Sequence, residues 1–282
     1  MDIFYDKADI QNLKPVVFFV HGGGWIIGDK HEYSKIGSLL MKENNVAILP
    51  NYVLFPEGSF DDMVDDIYKS IVWTYNNIEK YGGDKNRLTL IGYSSGAHLT
   101  MLTILKSYLR MINNGLQLSQ LPRFEKVVLM NGPYDFDDYD TITNYILGTT
   151  KTSKIESGFV ENLVKLLINS DEAGPTDILK KLKDNSIKDF GTPKFTFFYS
   201  DADTLIHQSS AENLIEQLHR VSPQTSINYV FSKGQNYEHY TLTLGARTND
   251  KEKEKMFLDI VNLWVPKLKK NNKQKYSDTE DK

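Results

Sequence analysis

The side chains best suited to chemistry in this chain are a serine, two aspartates and a histidine, met in that order. Ser94 lies in Gly92-Tyr93-Ser94-Ser95-Gly96, directly after the apolar run Leu88-Thr89-Leu90-Ile91 and directly before a helix-forming stretch. A Gly-x-Ser-x-Gly between a strand and a helix marks a turn so tight that the serine hydroxyl is pushed out at the sheet edge. Glycines two residues to either side let the strand and helix backbones approach each other. The pattern is common by itself, so its meaning depends on what else the chain supplies. A serine hydroxyl is a weak nucleophile at neutral pH and needs a base within reach, itself oriented by a carboxylate. Asp201 and Asp203 follow the run Phe195-Thr196-Phe197-Phe198-Tyr199, and His239 follows Ile227-Asn228-Tyr229-Val230-Phe231. Serine, then acid, then histidine, each on a loop after a strand, is one of the known orders of a nucleophilic triad. Asp203 lies deeper in its loop and is the expected acid, with Asp201 in reserve.

A triad also needs donors for the developing oxyanion. The run Val16-Val17-Phe18-Phe19-Val20 ends in His21-Gly22-Gly23-Gly24-Trp25. Three glycines after a buried strand are costly in backbone entropy, and a loop that aims bare amides at an anion would need them. The amides of Gly23, Gly24 and Ser95 are therefore the expected oxyanion hole. Trp25, Tyr93, Phe136 and Tyr139 are expected to line an apolar substrate pocket. Of the six histidines, His21 is expected to brace the glycine loop and His98 to be structural. His31 comes too early in the chain and His219 sits near a helix end, which leaves His207 as the one rival base.

These groups must be held by strands alternating with helices. Strand-like runs at 15–20, 46–49, 88–93, 127–130, 195–199 and 227–231 are separated by helical stretches near 33–43, 61–81, 97–110, 210–220 and 251–268. Such alternation implies an α/β fold, a mainly parallel sheet covered on both faces. Met63, Ile67, Ile71 and Ile78 recur at near-helical spacing and read as core, as do Phe257, Ile260, Val261 and Trp264. Strand rhythm lapses between about 131 and 189, with helical stretches at 159–168 and 177–182 broken by Gly174-Pro175. This is where a hydrolase would carry a small cap. We expect one domain over 1–268, followed by a charged, disordered tail over 269–282.

Bulk properties narrow the partners. The 282 residues carry a net charge of −4, which gives no reason to expect nucleic acid. There is no cysteine, which removes disulfides, thiolate-bound zinc and a cysteine nucleophile. No metal or cofactor is expected. No apolar run reaches membrane-spanning length, and no basic, apolar leader precedes Asp2-Ile3-Phe4-Tyr5, so a cytoplasmic location is expected. The abrupt start leaves room for an upstream segment that could contact a membrane. Oligomeric state is left open.

Several of these motifs together resemble the hormone-sensitive-lipase-like branch of the α/β-hydrolases: His21-Gly-Gly-Gly-Trp25, Tyr81-Gly-Gly-Asp84, Gly92-Tyr-Ser-Ser-Gly-Ala-His98, and the late Asp and His. Within that branch the chain is most similar to the prenylcysteine α-carboxyl methylesterases. Further echoes fall at Gly28-Asp29-Lys30, Phe55-Pro56-Glu57-Gly58, Asn76-Asn77-Ile78 and 256–261, covering nearly the whole chain apart from the cap. The resemblance implies an α/β-hydrolase fold, a serine esterase working through an acyl-enzyme, Asp203 as acid, His239 as base, and a small ester with an apolar moiety as substrate. Kynurenine formamidases share the His-Gly-Gly-x-Trp and Ser-x-Gly-Ala-His features, so a formamide is the alternative substrate. A broad carboxylesterase and a catalytically silent binding scaffold are the further alternatives. Many relatives have Asp-Tyr-Arg where this chain has Asn51-Tyr52-Val53.

Overall fold

Alternation along the strands decides which layer each residue enters. In β2 (Lys14–Val20), Val16, Phe18 and Val20 face one core while Val17 and Phe19 face the other. The same split divides Val127 and Leu129 from Val128 and Met130 in β7 (Lys126–Met130). A strand apolar on both faces belongs inside a parallel sheet with helices on either side. The computed structural model, which describes residues 1–136 and 172–263, has that architecture.

Its main sheet has seven strands in the order β1-β3-β2-β4-β7-β8-β9. The other members are β1 (Asp2–Phe4), β3 (Val46–Leu49), β4 (Gly83–Tyr93), β8 (Lys194–Ser200) and β9 (Ser226–Ser232). Only β1 runs antiparallel, against β3. Helices α1 (Ser34–Lys42), α6 (Thr241–Arg247) and α7 (Lys251–Asn262) cover one face. The other is covered by α2 (Phe60–Asn77), α3 (Ser95–Tyr108), α4 (Pro175–Lys180) and α5 (Ser209–Val221). The expected mainly parallel α/β fold is thus present.

Local chemistry sets the helix ends. Ser59 caps α2 by accepting from the Asp62 amide, and the Asp62 carboxylate accepts from the Ser59 amide in return. Every residue of α3 from Ser95 to Ser107 is buried, because the helix lies between the sheet, α2 and α4. Lys106 near its end is buried too, and donates to Asp61 at 2.5 Å and to Asn113 at 3.2 Å.

The structure departs from the sequence expectation in four places. The helix expected at 177–182 begins instead at Pro175, whose missing N–H costs nothing at that position. β4 starts at Gly83, ahead of Arg87. The stretch expected as loop holds a two-stranded hairpin, β5 (Ile112–Asn113) and β6 (Leu116–Gln117). Its turn residues Asn114 and Gly115 both have positive φ, 47° and 76°, which is the primed turn that suits a hairpin. Helix α6, between the His239 loop and α7, was not anticipated. Asn51-Tyr52-Val53 is held by hydrogen bonds from uncharged donors, two of them to carboxylates. Asn51 accepts from the Lys30 amide at 2.7 Å and donates to Asp29 at 2.6 Å, and the Val53 amide donates to Asp66 at 2.8 Å. Most of the expected cap, with its 159–168 helix, and the expected tail lie outside the described residues.

Candidate active site

The turn between β4 and α3 puts Ser94 where the two elements almost touch. A Cβ on Gly92 would lie 2.5 Å from the Ala97 Cα, and one on Gly96 would lie 2.3 Å from the His21 carbonyl oxygen. Both glycines are required by that approach. Ser94 has φ 56° and ψ −126°, a conformation that costs a non-glycine residue about 1–3 kcal/mol. It is held by the Ser94 amide, which donates to the Met130 carbonyl at 2.8 Å, and by the Ser94 carbonyl, which accepts from the amides of Ala97 and His98.

The loops after β8 and β9 complete a chain of hydrogen bonds. His239 Nε2 lies 2.7 Å from Ser94 Oγ. On its other side, His239 Nδ1 lies 2.8 Å from Asp203 Oδ2. A carboxylate can only accept, so Nδ1 carries the proton and Nε2 is left to accept from the serine hydroxyl. Asp203 Oδ1 accepts from the amides of Leu205 and Ile206, each at 3.0 Å, and Oδ2 also accepts from Asn131 Nδ2 at 2.8 Å. Burial pushes the Asp203 carboxyl up, but the His239 bond and charge, the Ile206 amide and Asn131 outweigh it and hold the group below the ordinary carboxylate value. Asp201, the reserve acid, is exposed and accepts instead from the Gly234 amide at 2.9 Å.

The glycine loop lies directly against this group. A Cβ on Gly22 would sit 2.8 Å from the Ser94 Cβ. Gly23 and Gly24 have φ of 139° and 60°, and a Cβ on Gly23 would fall 1.8 Å from the Ile27 carbonyl oxygen. Among the described residues no oxygen accepts from the amides of Gly23, Gly24 or Ser95, whereas the Gly23 carbonyl accepts from Ile26 and Ile27. His21 braces the loop as expected. Its ring stacks on Tyr52 and Tyr33, and Nδ1 donates to the Gly22 carbonyl at 2.8 Å.

Three of the residues expected to line a substrate pocket lie among the described residues. Trp25 is 0% exposed, packs against Phe60, His98 and Phe136, and donates from Nε1 to His98 Nδ1 at 3.1 Å. Tyr93 is buried, and its hydroxyl donates to the His239 carbonyl at 2.9 Å, tying the His239 loop to the strand that leads to Ser94. Phe136 stacks on His98 with ring centroids 4.8 Å apart. All three rings are buried around the turn at Ser94, as Ser94 itself is. Tyr139 lies outside the described residues. The rival base His207 is exposed and pairs with Ser209.

His98 is the structural residue the sequence suggests, and it joins three segments. It accepts from Trp25, donates from Nε2 to the Ala173 carbonyl at 2.7 Å, and belongs to α3. Complete burial lowers its pKa from 6.5 to about 4. Between those values the unfolded chain binds a proton that the folded protein does not. The neutral imidazole's contribution is therefore present above pH 6.5 and lost as pH falls toward 4, to a total of about 3 kcal/mol. Urea unfolding at pH 7 and pH 4.5 is expected to show this loss. A His98→Gln variant, less stable at pH 7, is expected to show a smaller difference between the two pH values.

Asn131 is the functional candidate that sequence reading did not single out. The signal was its place, the first residue after the strand between those of Ser94 and Asp203. Among the described residues no cluster of three or more His, Asp or Glu side chains could hold a metal, and no helix is long and apolar enough to cross a membrane.

The profile of the BD-FAE family matches residues 1–218. The chain belongs to the BD-FAE family. An isoprenylcysteine alpha-carbonyl methylesterase of Arabidopsis thaliana is 41% identical to this BD-FAE protein over 102 residues, 36% of this chain and 24% of the relative. The esterase LipC of Mycobacterium tuberculosis is 24% identical over 255 residues, 88% of this chain and 58% of the relative. The matches to the plant methylesterases thus span about a quarter of those proteins. Among solved structures, esterase B of Lactobacillus rhamnosis superposes with a TM-score of 0.66 at 16% identity, covering 92% of this chain and 80% of that one. The BD-FAE chain therefore has the α/β-hydrolase fold expected of it.

Proposed function

We propose that this protein is a serine ester hydrolase that works through an acyl-enzyme. The observation that carries the reading is the unbroken hydrogen-bond chain from Ser94 Oγ through His239 to Asp203, built from loops at the ends of three parallel strands. In this reading His239 Nε2 takes the Ser94 proton as Oγ attacks the ester carbonyl. Asp203 holds the required tautomer and stabilises the imidazolium that forms. The carbonyl oxygen becomes an oxyanion beside the amides of Gly23, Gly24 and Ser95, and each fixed donor contributes about 3 kcal/mol to the barrier reduction. His239 then protonates the leaving alkoxide, and a water attacks the acyl-enzyme by the same route in reverse. The α3 N-terminus, starting at Ser95, adds its positive dipole end at the same point.

The names of the plant relatives favour a prenylcysteine methyl ester as the finer substrate assignment. The names of the mycobacterial relatives, an esterase and a probable carboxylic ester hydrolase, favour ester over formamide chemistry. A parallel assay of a prenylcysteine methyl ester, a short-chain p-nitrophenyl ester and N-formylkynurenine tests both levels. The expected order of kcat/KM places the prenylcysteine ester first and the formamide last. Fastest turnover of the formamide would overturn the ester reading, and indifference to the prenyl group would remove the finer assignment alone.

A further inference from the structure

We propose that Asn131 is a positioning residue that fixes the Asp203 carboxylate for His239. The inference rests on the reading of Ser94, His239 and Asp203 as the catalytic groups. Asn131 follows β7, which lies between β4, the strand leading to Ser94, and β8, the strand leading to Asp203. It is buried, and its backbone is left-handed, with φ 52°. Asparagine tolerates that region better than most L residues.

The turn around it is held from several directions. The Asn131 amide donates to the Phe198 carbonyl at 3.0 Å. The Tyr199 hydroxyl donates to the Gly132 carbonyl. Ser210 donates to that same carbonyl at 3.3 Å and accepts from the Tyr134 amide at 2.7 Å. With the backbone fixed, Nδ2 reaches Asp203 Oδ2, the oxygen that also accepts from His239 Nδ1. Among the described residues, Asn131 and His239 are the only side chains that donate to this carboxylate. The Leu205 and Ile206 amides fix Oδ1, so Asn131 supplies the constraint that stops Oδ2 from swinging about that anchor.

The electrostatic consequence follows from the same bond. Asn131 draws charge from Oδ2 and favours the ionised carboxylate against its burial. The titratable groups facing Asp203 are His239 and Tyr199, whose hydroxyl burial keeps neutral, while Asp201 turns outward to Gly234. Loss of the amide leaves a more basic carboxylate beside the imidazole, which favours the protonated pair.

The test is Asn131→Gly, which suits a left-handed backbone and lacks the donor, with Asn131→Ala as a second variant. Active-site titration corrects for any loss of folded protein. The expected result is a fall in kcat of about 10- to 100-fold with KM for a small ester little changed. The acid limb of the kcat/KM profile is expected to move to higher pH. A merely structural role would lower the titratable fraction without moving the profile, and that result, or parental kcat, would overturn the proposal. A Ser94→Ala control separates the two readings. Full activity there sinks the catalytic assignment itself, whereas an inactive Ser94→Ala beside a parental Asn131→Gly sinks only the role of Asn131.

Discussion

Ser94→Ala is expected to lower kcat on a small chromogenic ester by about 10⁴-fold or more while leaving the fold intact. The hydroxyl is the only part of Ser94 that the proposed reaction uses. Its structural work is done by the backbone, through the amide bond to Met130 and the carbonyl that opens α3. Alanine keeps both. The residue's strained φ and ψ cost alanine much what they cost serine, so circular dichroism and the melting temperature should stay near the parent. Ser95 lacks a base, since His239 Nε2 bonds to Ser94 Oγ and among the described residues Ser95 Oγ has no hydrogen-bond partner. Residual turnover would come from the glycine-loop amides acting on bound ester and water.

Asp203→Asn is expected to cost about 10⁴-fold in kcat. An asparagine amide facing His239 Nδ1 would donate where the carboxylate accepts. Nδ1 would then lose its proton and Nε2 would carry it, leaving nothing to accept from Ser94 Oγ. The change is isosteric, and the amides of Leu205 and Ile206 can still donate to the remaining oxygen, so the geometry should persist. Asp201→Asn is the matched control. Its carboxylate is exposed and, among the described residues, accepts from the Gly234 amide alone, a role that asparagine retains, so kcat should stay close to the parent. Equal losses from the two substitutions would show that the acid had been misassigned.

Most of the framework was legible because it depends on local periodicity. Val16 to Val20 is apolar at every position and Phe195 to Tyr199 at every position but Thr196, a pattern that suits a strand covered on both faces, and both lie in interior strands of the sheet. The order of Ser94, Asp203 and His239 along the chain was equally legible, since each follows a recognisable strand. What was not legible depends on contacts between distant segments. The indole bond from Trp25 to His98, 73 residues away, has no counterpart in the local sequence. The contact from Asn131 to Asp203 spans 72 residues and leaves no periodic trace. Helix α6 was hidden by Thr241-Leu-Thr-Leu, whose alternation resembles a strand, and it forms because Leu242 and Ala246 pack on the face shared with α7. The hairpin at 112–117 was within reach of sequence reasoning, since Asn114-Gly115 is a strong turn signal between apolar neighbours.

The most direct test of the central claim is the site at which a fluorophosphonate reacts. An activated serine should form a covalent phosphonyl adduct rapidly, and mass spectrometry of the digested protein should place it on Ser94. Labelling should vanish in Ser94→Ala and slow strongly in a His239→Ala variant. An adduct on any other residue, or none on the folded parent protein, would contradict the account.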